Sequence, residues 1–319
     1  MSRPRTRATI AALALMLAAP ALAQTPKPAP PAPAKDTNEP DLGFGAYQRG
    51  YFLTAFKEAS RLAEKSDPQA MTLLGELYAN GFGVGRDDAK AAQWYQRAAD
   101  RGDREAMFAL AILRFQGRGG ARDPEQGAKL FAAAAKLGHA AAAYDLGLLY
   151  LQGQQFAQDY QRAAELFDIG ARAGNPESQY ALATMYKEGR GVPKDEREAM
   201  RLMGQAAVAG NVDAMVEFAI AQFNGANTAK NEAEAIKLFL KAAGRGSPIA
   251  QNRLARIYSA GRGAPADPVA AIKWHLIAKA GGAGDPELDS YVAKQKPEDR
   301  AAGEKAANRW LATATPLRP

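Results

Sequence analysis

Residues Ala70–Gly102 read AMTLLGELYANGFGVGRDDAKAAQWYQRAADRG, and this pattern recurs along most of the 319-residue chain. Gly81 and Gly102 each return every 36 residues without one insertion. The recurring positions are Gly117, Gly153, Gly189, Gly225 and Gly261 for the first glycine, and Gly138, Gly174, Gly210, Gly246 and Gly282 for the second. A fixed period of about 20–50 residues is typical of stacked supersecondary units that bury their apolar faces against one another. The sequence therefore predicts a repeat solenoid.

Each repeat contains two segments with helical periodicity. Ala70, Leu74 and Leu77 are spaced i, i+4, i+7 and predict an amphipathic first helix, and Ala89–Ala99 predicts a second helix. The position of Asp87 holds Asp or Asn in every repeat, as expected of an N-cap. The two glycines follow the helix ends, where a left-handed residue satisfies free carbonyls. The predicted fold is all-α: an α-solenoid of antiparallel helix pairs, which we call the first and second helices of each repeat.

Two positions predict finer details of packing. The position of Gly75 holds only Gly or Ala. Because a glycine inside a helix costs about 1 kcal/mol relative to alanine, we expect two helix backbones to approach closely there. The N-cap of the first helices is Asp, Asn or Ser except at His139, which we expect to be a weak, solvated cap.

The repeat resembles a known family. The string Ala-x-x-x-Leu-Gly-x-x-Tyr-x-x-Gly-x-Gly-Val, followed by Asp-x-x-x-Ala-x-x-Trp-Tyr-x-x-Ala-Ala-x-x-Gly, is similar to the Sel-like repeat, a longer-period relative of the tetratricopeptide repeat. The resemblance covers about residues 68–282. Arg114 and Gln222 replace the tyrosine in two repeats, and Gln155-Phe156 replaces Gly-Val in another. The resemblance implies a right-handed superhelix that scaffolds protein complexes, and exported bacterial members are often adaptors or regulators of the cell envelope.

The ends of the chain differ from the repeats. Arg3, Arg5 and Arg7 precede an apolar run, and Ala21-Leu-Ala23 offers small residues for cleavage, which predicts a secretory signal peptide. We therefore expect a periplasmic or secreted protein with no stable membrane span after cleavage. The predicted segments are a signal peptide (1–23), a Pro/Ala-rich disordered linker (24–40), a degenerate half repeat (41–67), six repeats (68–283), capping helices (284–312) and a loose tail (313–319). We expect Trp310 to pack the closing helix onto the last repeat.

Signals for chemistry are weak. The chain has no cysteine, which excludes thiol catalysis and disulfides. Its two histidines lie in different repeats and outside any metal-ligand spacing. His275 lies at an aromatic core position, so we expect it to be packed. The sequence predicts no enzyme, no catalytic residue, no cofactor and no metal.

The basic pI of about 9.4 raises the question of nucleic acid. Removing Arg3, Arg5 and Arg7 with the signal peptide lowers the formal net charge from +7 to +4, and no Lys/Arg cluster is dense enough to follow phosphates. We therefore predict no nucleic-acid partner. An RNA-reading helical repeat stays a distant alternative.

One face of the first helices lies off the core stripe. It is apolar in the middle repeats and polar at both ends, which is typical of an interaction site. The residues predicted to line a partner-binding groove are Phe108, Ile112, Tyr144, Leu148, Leu151, Tyr180, Thr184 and Ile220. The alternative is that these residues are core between neighbouring helices, and the sequence leaves both interpretations open.

The leading prediction is therefore a non-enzymatic scaffold, adaptor or regulator of the cell envelope that binds a protein or peptide in the concave groove. One alternative is an envelope hydrolase acting on peptidoglycan or β-lactams, although no Ser, Lys or carboxylate constellation for it is found. Another is a secreted effector that binds host proteins. The sequence predicts no oligomeric state.

Overall fold

A computed structural model describes residues 42–313, and this part of the chain is made of helices with no strand. The predicted signal peptide and linker, and all but the first residue of the predicted tail, lie outside the described residues. The helices are α1 (Leu42–Gln48), α2 (Phe52–Glu64), α3 (Pro68–Asn80), α4 (Asp88–Ala99), α5 (Arg104–Gln116), α6 (Pro124–Lys136), α7 (Ala140–Gln152), α8 (Tyr160–Arg172), α9 (Pro176–Glu188), α10 (Glu196–Ala209), α11 (Val212–Asn224), α12 (Glu232–Gly244), α13 (Pro248–Ala260), α14 (Pro268–Ala280), α15 (Pro286–Ala293) and α16 (Pro297–Thr313).

The repeats are the six pairs from α3–α4 to α13–α14, and each helix from α3 to α13 packs mainly against the helices before and after it in the chain. The prediction of an all-α array of helix pairs is confirmed. The buried side chains form one cluster from Ala46 to Leu146 and a second from Leu148 to Ala307, and Tyr150 packs against both. The core is therefore a band that follows the stack of helices, as expected of a solenoid.

Caps define the helix ends as the sequence predicts. The Asp67 carboxylate accepts a hydrogen bond from the Ala70 amide at 2.9 Å, and a side-chain cap of this kind precedes every helix of the six repeats. Both periodic glycine sets have positive φ. At Gly189 φ is 70°, and its amide donates to the Met185 carbonyl at 2.8 Å. These glycines satisfy carbonyls that the helix leaves free.

His139 differs from its prediction. It is only 8% exposed, and its Nδ1 accepts a hydrogen bond from the Ala142 amide at 3.0 Å, in the geometry of the other caps. The Phe108 ring stacks on the imidazole with 4.4 Å between ring centroids. The expectation of a solvated cap is therefore wrong, because the Phe108 ring shields the imidazole and Glu105 contacts its Nε2 at 3.0 Å. That His139 is the weakest cap stays a prediction.

The small residue inside the first helices also has a different cause from the one predicted. A Cβ at Gly75 would lie 2.5 Å from the Tyr95 ring, and one at Gly147 would lie 2.6 Å from the Phe167 ring. The close approach is therefore between the backbone of a first helix and an aromatic side chain of its second helix. Two backbones do not meet there, and that expectation is corrected.

A third glycine position, within the loop that joins the two helices, connects neighbouring repeats. A Cβ at Gly119 would lie 2.2 Å from the Asp88 carbonyl oxygen, and one at Gly191 would lie 2.2 Å from the Tyr160 carbonyl oxygen. Both glycines have positive φ, and so does Asn227, which stands at the same place in the fifth repeat. The loops of the second and fourth repeats therefore rest directly on the start of the preceding repeat's second helix.

At the carboxyl end, α16 packs against α14. The Trp274 and Trp310 rings meet edge to face with 6.4 Å between their centroids, which confirms the predicted packing of Trp310. His275 is fully buried, and its Nε2 lies 2.7 Å from an Asp289 carboxylate oxygen. This confirms that His275 is a packed residue.

Candidate partner-binding surface

The first helices (α3, α5, α7, α9, α11 and α13) share a row of side chains that lies off the core stripe of Ala70, Leu74 and Leu77. This first-helix face consists, in each repeat, of the positions equivalent to Gln69, Thr72, Leu73, Glu76 and Ala79. Its side chains reach the next first helix along the stack. The Thr72 hydroxyl donates to the Asp103 carboxylate at 3.0 Å, and the Tyr180 hydroxyl donates to Glu217 at 2.8 Å. The face is therefore continuous from one repeat to the next.

The predicted groove residues lie on this face. All are half-buried except Leu148, which is 5% exposed and belongs to the core. The half-buried ones are Phe108, Ile112, Tyr144, Leu151, Tyr180, Thr184 and Ile220. The prediction of Leu148 as an accessible groove residue is corrected, since its side chain packs among neighbouring buried side chains. Whether the others contact a partner stays a prediction.

The aromatic side chains are fixed at one edge and accessible at the other. The Phe108 ring contacts Phe131 with 5.6 Å between centroids, and the Tyr144 ring contacts Phe167 at 5.7 Å. Phe131 and Phe167 are buried residues of the second helices. Groove and core are therefore not exclusive here: each ring packs into its own repeat and still presents surface to solvent.

A polar cluster connects α9 with α11. Glu217 accepts hydrogen bonds from the Tyr180 hydroxyl and from Lys187 Nζ, each at 2.8 Å. Thr184 donates its hydroxyl to the Tyr180 carbonyl of the same helix at 3.0 Å. Burial, together with the neighbouring Glu217 carboxylate, raises the pKa of Tyr180 above its ordinary value. The phenol therefore stays protonated and holds the two first helices in register.

Acidic side chains run along the same face, and the sequence did not single them out. They are Glu76, Glu105, Asp145, Glu177, Asp213 and Glu217. Glu105, Glu177 and Asp213 lie in the first turns of their helices, where the helix dipole already favours a negative charge. Each of these three alone looks like an ordinary first-turn residue, whereas Glu76, Asp145 and Glu217 lie in the middle of their helices. The row of six appears only when the first helices are placed side by side.

Asp145 lies near the middle of this row. It is half-buried, and within residues 42–313 no group forms a hydrogen bond or ion pair with its carboxylate. Burial raises the pKa of Asp145 to about 6, while the charge of the nearby His139 opposes this increase. Burial and the negative charges of Glu177 and Asp145 together raise the pKa of Tyr144. These side chains therefore form a locally negative region around a partly buried ring.

The acidic row has a defined boundary at each end. At the amino end, burial raises the pKa of Glu76, and the negative charge of Glu105 adds to this, while a hydrogen bond with Tyr47 opposes it. At the carboxyl end, Arg256 forms an ion pair with the buried Asp285 at 2.7 Å. Arg253 and Arg256 line a cavity of about 480 Å³ there. Arg256 also pairs with Glu287 at 3.0 Å, so its charge is offset by two acids. The row of acids therefore ends at the sixth repeat, where Arg253 and Arg256 take the corresponding positions.

The described part of the chain shows few groups with catalytic geometry. No cluster of three or more His, Cys, Asp or Glu side chains in residues 42–313 could hold a metal ion. The Ser178 hydroxyl is fully buried and has no hydrogen-bond partner among the described residues. It fits beside Gly170, where a Cβ would lie 2.2 Å from its oxygen. Ser178 is therefore a packing residue.

Regarding membranes, no helix between Leu42 and Thr313 is both long enough and apolar enough to cross a bilayer.

Comparison with known proteins gives consistent matches. The Sel1 repeat family model matches six consecutive segments, at residues 68–103, 104–139, 140–175, 176–211, 212–247 and 248–282. A Sel1 repeat protein from Oxalobacter formigenes is 27% identical, with a TM-score of 0.66 over 75% of this chain and 98% of that one. A protective antigen present in uropathogenic Escherichia coli strains, which displays an SLR fold, is 26% identical, with a TM-score of 0.53 over 85% of this chain and 68% of that one. No curated protein sequence matches the chain.

Proposed function

The chain belongs to the Sel1 repeat family, and we propose that it is an exported, non-enzymatic adaptor or regulator of the cell envelope. In this proposal it binds a protein or peptide on the first-helix face. Sel1 repeats form a helical solenoid fold that is generally used for protein interaction, and stacked repeats offer an extended surface for a partner. The export part of the proposal rests on residues 1–23 alone.

The observation that supports binding is the composition of the first-helix face. Half-buried aromatic and aliphatic side chains on successive helices, such as Phe108, Ile112, Tyr144 and Ile220, are flanked by charged residues. Rings held by their own core lose little freedom when a partner covers them, and aromatic anchors carry much of the energy of protein interfaces. A polar rim around such anchors is the usual anatomy of an interface.

Capture from an extract of the source cells with matched variants tests this proposal. Ile112→Ser/Ile220→Ser changes two half-buried side chains of the first-helix face. Val208→Ser/Leu240→Ser changes two side chains of second helices that are 79% and 40% exposed. We expect the first variant to lose a protein that the wild-type chain captures, and the second to retain it. Melting curves of both variants establish that they are folded.

If both variants capture the same protein as well as the wild-type chain does, the first-helix face is not the binding surface. If only Val208→Ser/Leu240→Ser loses the partner, the binding surface lies on the second helices.

A further inference from the structure

We propose that the occupant of the first-helix face is a cationic segment of another protein, with lysine or arginine side chains that alternate with apolar ones. This inference rests on the proposed function and specifies its partner. In this complex the positive side chains lie on the unpaired carboxylates of α7, α9 and α11, and the apolar ones cover the half-buried rings of α5, α7 and α9. The face acid of α5, Glu105, already pairs with His139 and Arg104.

The distribution of charge is the first observation. The whole sequence has 41 Lys and Arg against 34 Asp and Glu. The first five repeats nevertheless place six acids on the first-helix face and one base, Lys187, as read from the described residues. Lys187 already forms an ion pair with Glu217. The face therefore carries negative charge on a chain that is positive as a whole, and such complementarity favours a partner of opposite sign.

The second observation is that the central acids lack partners. Asp145, Glu177 and Asp213 form neither an ion pair nor a hydrogen bond with any group in the described part of the chain. Acids on the second helices are often paired within their own helix, as Glu198 is with Arg201. An unpaired carboxylate that is half-buried, as Asp145 is, is unfavourable. A bound ammonium or guanidinium group would supply the missing counter-charge.

Aromatic rings next to these acids add a second mode of cation recognition. Tyr144 and Asp145 are adjacent on α7, and the half-buried Tyr144 ring packs on Phe167 at one edge. The charges of Glu177 and Asp145 add to burial in raising the pKa of the Tyr144 phenol. A cation above a tyrosine ring gains electrostatic attraction from the ring face. One lysine or arginine of the partner can therefore contact a carboxylate and the Tyr144 ring together. The same acids would repel nucleic-acid phosphates.

The size of the occupant follows from helix spacing. Successive first helices contact each other only weakly, so they lie at least as far apart as the about 8–10 Å of packed helices. The three steps from α5 to α11 therefore need at least about nine extended residues at roughly 3.3 Å each. The sixth repeat has no acid at the positions of the first-helix face, and Arg253 and Arg256 stand there instead. A cationic segment should therefore end before α13.

Fluorescence anisotropy with the whole chain and defined probes tests the inference. The probe is a fluorescein-labelled 12-residue peptide in which the unit Lys-Leu-Lys-Ser occurs three times. Peptides with Gln or with Glu in place of Lys are its controls. We expect the Lys peptide to bind, the Gln peptide to bind at least about tenfold more weakly, and the Glu peptide not to bind. Higher salt should weaken binding of the Lys peptide because it screens exposed charges.

Two variants with equal change in net charge separate local contacts from overall charge. Asp145→Asn/Glu177→Gln/Asp213→Asn removes the charge of the three unpaired acids of the face, and we call it the neutralised variant. The control Glu125→Gln/Glu165→Gln/Glu304→Gln neutralises three exposed acids of α6, α8 and α16. We expect the first variant to bind the Lys peptide about tenfold more weakly. Each of its three carboxylates would form one ion pair of modest strength with the peptide, and the loss of three such pairs lowers the affinity by about one order of magnitude. The control should stay within about twofold of the wild-type chain.

Several results would overturn the inference. One is that both variants lose the same affinity for the Lys peptide. Another is that the Gln peptide binds as tightly as the Lys peptide, and a third is that the Lys peptide does not bind at millimolar concentration. The proposed function has a separate readout. A captured partner that Ile112→Ser/Ile220→Ser loses, but the neutralised variant retains, would preserve the first-helix face as the binding surface and refute the cationic occupant. Thermal unfolding should show the neutralised variant to be no less stable than the wild-type chain.

Discussion

Replacing Asp145 by asparagine should stabilise the protein at neutral and alkaline pH. The carboxylate lies half-buried on the first-helix face without a partner in the described part of the chain, and burial raises its pKa from the ordinary 3.8 to about 6. A tenfold change in the proton affinity of a group corresponds to about 1.4 kcal/mol. With allowance for the partial exposure of Asp145, removing its charge should raise the free energy of unfolding by on the order of 1–3 kcal/mol at pH 8.

The pH dependence of this gain has a definite sign. An acid whose pKa is raised on folding binds its proton more tightly in the folded state, so its charged form destabilises the fold. That penalty is fully present above the folded pKa of about 6 and decreases as the pH falls. It is absent once the pH lies below the unfolded value of about 4. The advantage of Asp145→Asn should therefore shrink from pH 8 to pH 6 and vanish by about pH 3.5.

Urea unfolding at pH 8, 6 and 3.5 measures this dependence. Glu125→Gln, at an exposed position of α6, is the matched control and should change stability by no more than about 0.5 kcal/mol at each pH. If Asp145→Asn is no more stable than the wild-type chain at pH 8, the carboxylate is solvated or has a partner, and the account of the negative region around it is wrong. A gain that is the same at all three pH values would show that charge is not its cause.

Three further predictions concern packing and processing. Gly170→Ala would place a Cβ 2.2 Å from the buried Ser178 oxygen and should cost about 1–3 kcal/mol, whereas Ser178→Ala removes an unsatisfied hydroxyl and should stabilise by about 1 kcal/mol. The double variant should recover only part of the cost of Gly170→Ala, because the Cβ of residue 178 stays at 2.8 Å, and strictly additive effects in urea unfolding would contradict the contact. In Gly191→Ala the added Cβ would lie 2.2 Å from the Tyr160 carbonyl oxygen, at a residue with φ of 69°, whereas in Gly85→Ala it enters open space. Only Gly191→Ala should therefore lower the melting temperature, and equal melting temperatures of the two variants would show that the loop does not rest on the preceding repeat. N-terminal sequencing of exported protein should begin at Gln24, and an intact Met1 would contradict the signal-peptide prediction.

The helix pairs could be predicted from the sequence because their determinants are local. Caps such as Asp87 act within one turn, and the stop glycines recur at one spacing. The cause of the small residue at Gly75 could not be predicted. The sequence shows that a small residue is required there, but only the structure shows that the Tyr95 ring takes the space.

The candidate surface was predictable only in part. The apolar positions follow from the helical period, yet Leu148 is buried while Ile112 and Thr184, one repeat to either side, are half-buried. Such differences depend on how each helix lies against its neighbours, which periodicity does not encode. The acidic row combines different positions of different repeats, such as Asp145 and Glu177, so no single repeat contains its pattern.

The most direct test of the central claim, that a partner binds on the first-helix face, is site-specific photo-crosslinking in the source cells. p-Benzoylphenylalanine would replace Ile112 or Ile220 on that face, and Val208 or Leu240 on the second helices in separate controls. We expect a discrete adduct of one partner at both first-helix positions and none at the controls. Adducts only at Val208 or Leu240 would contradict the account.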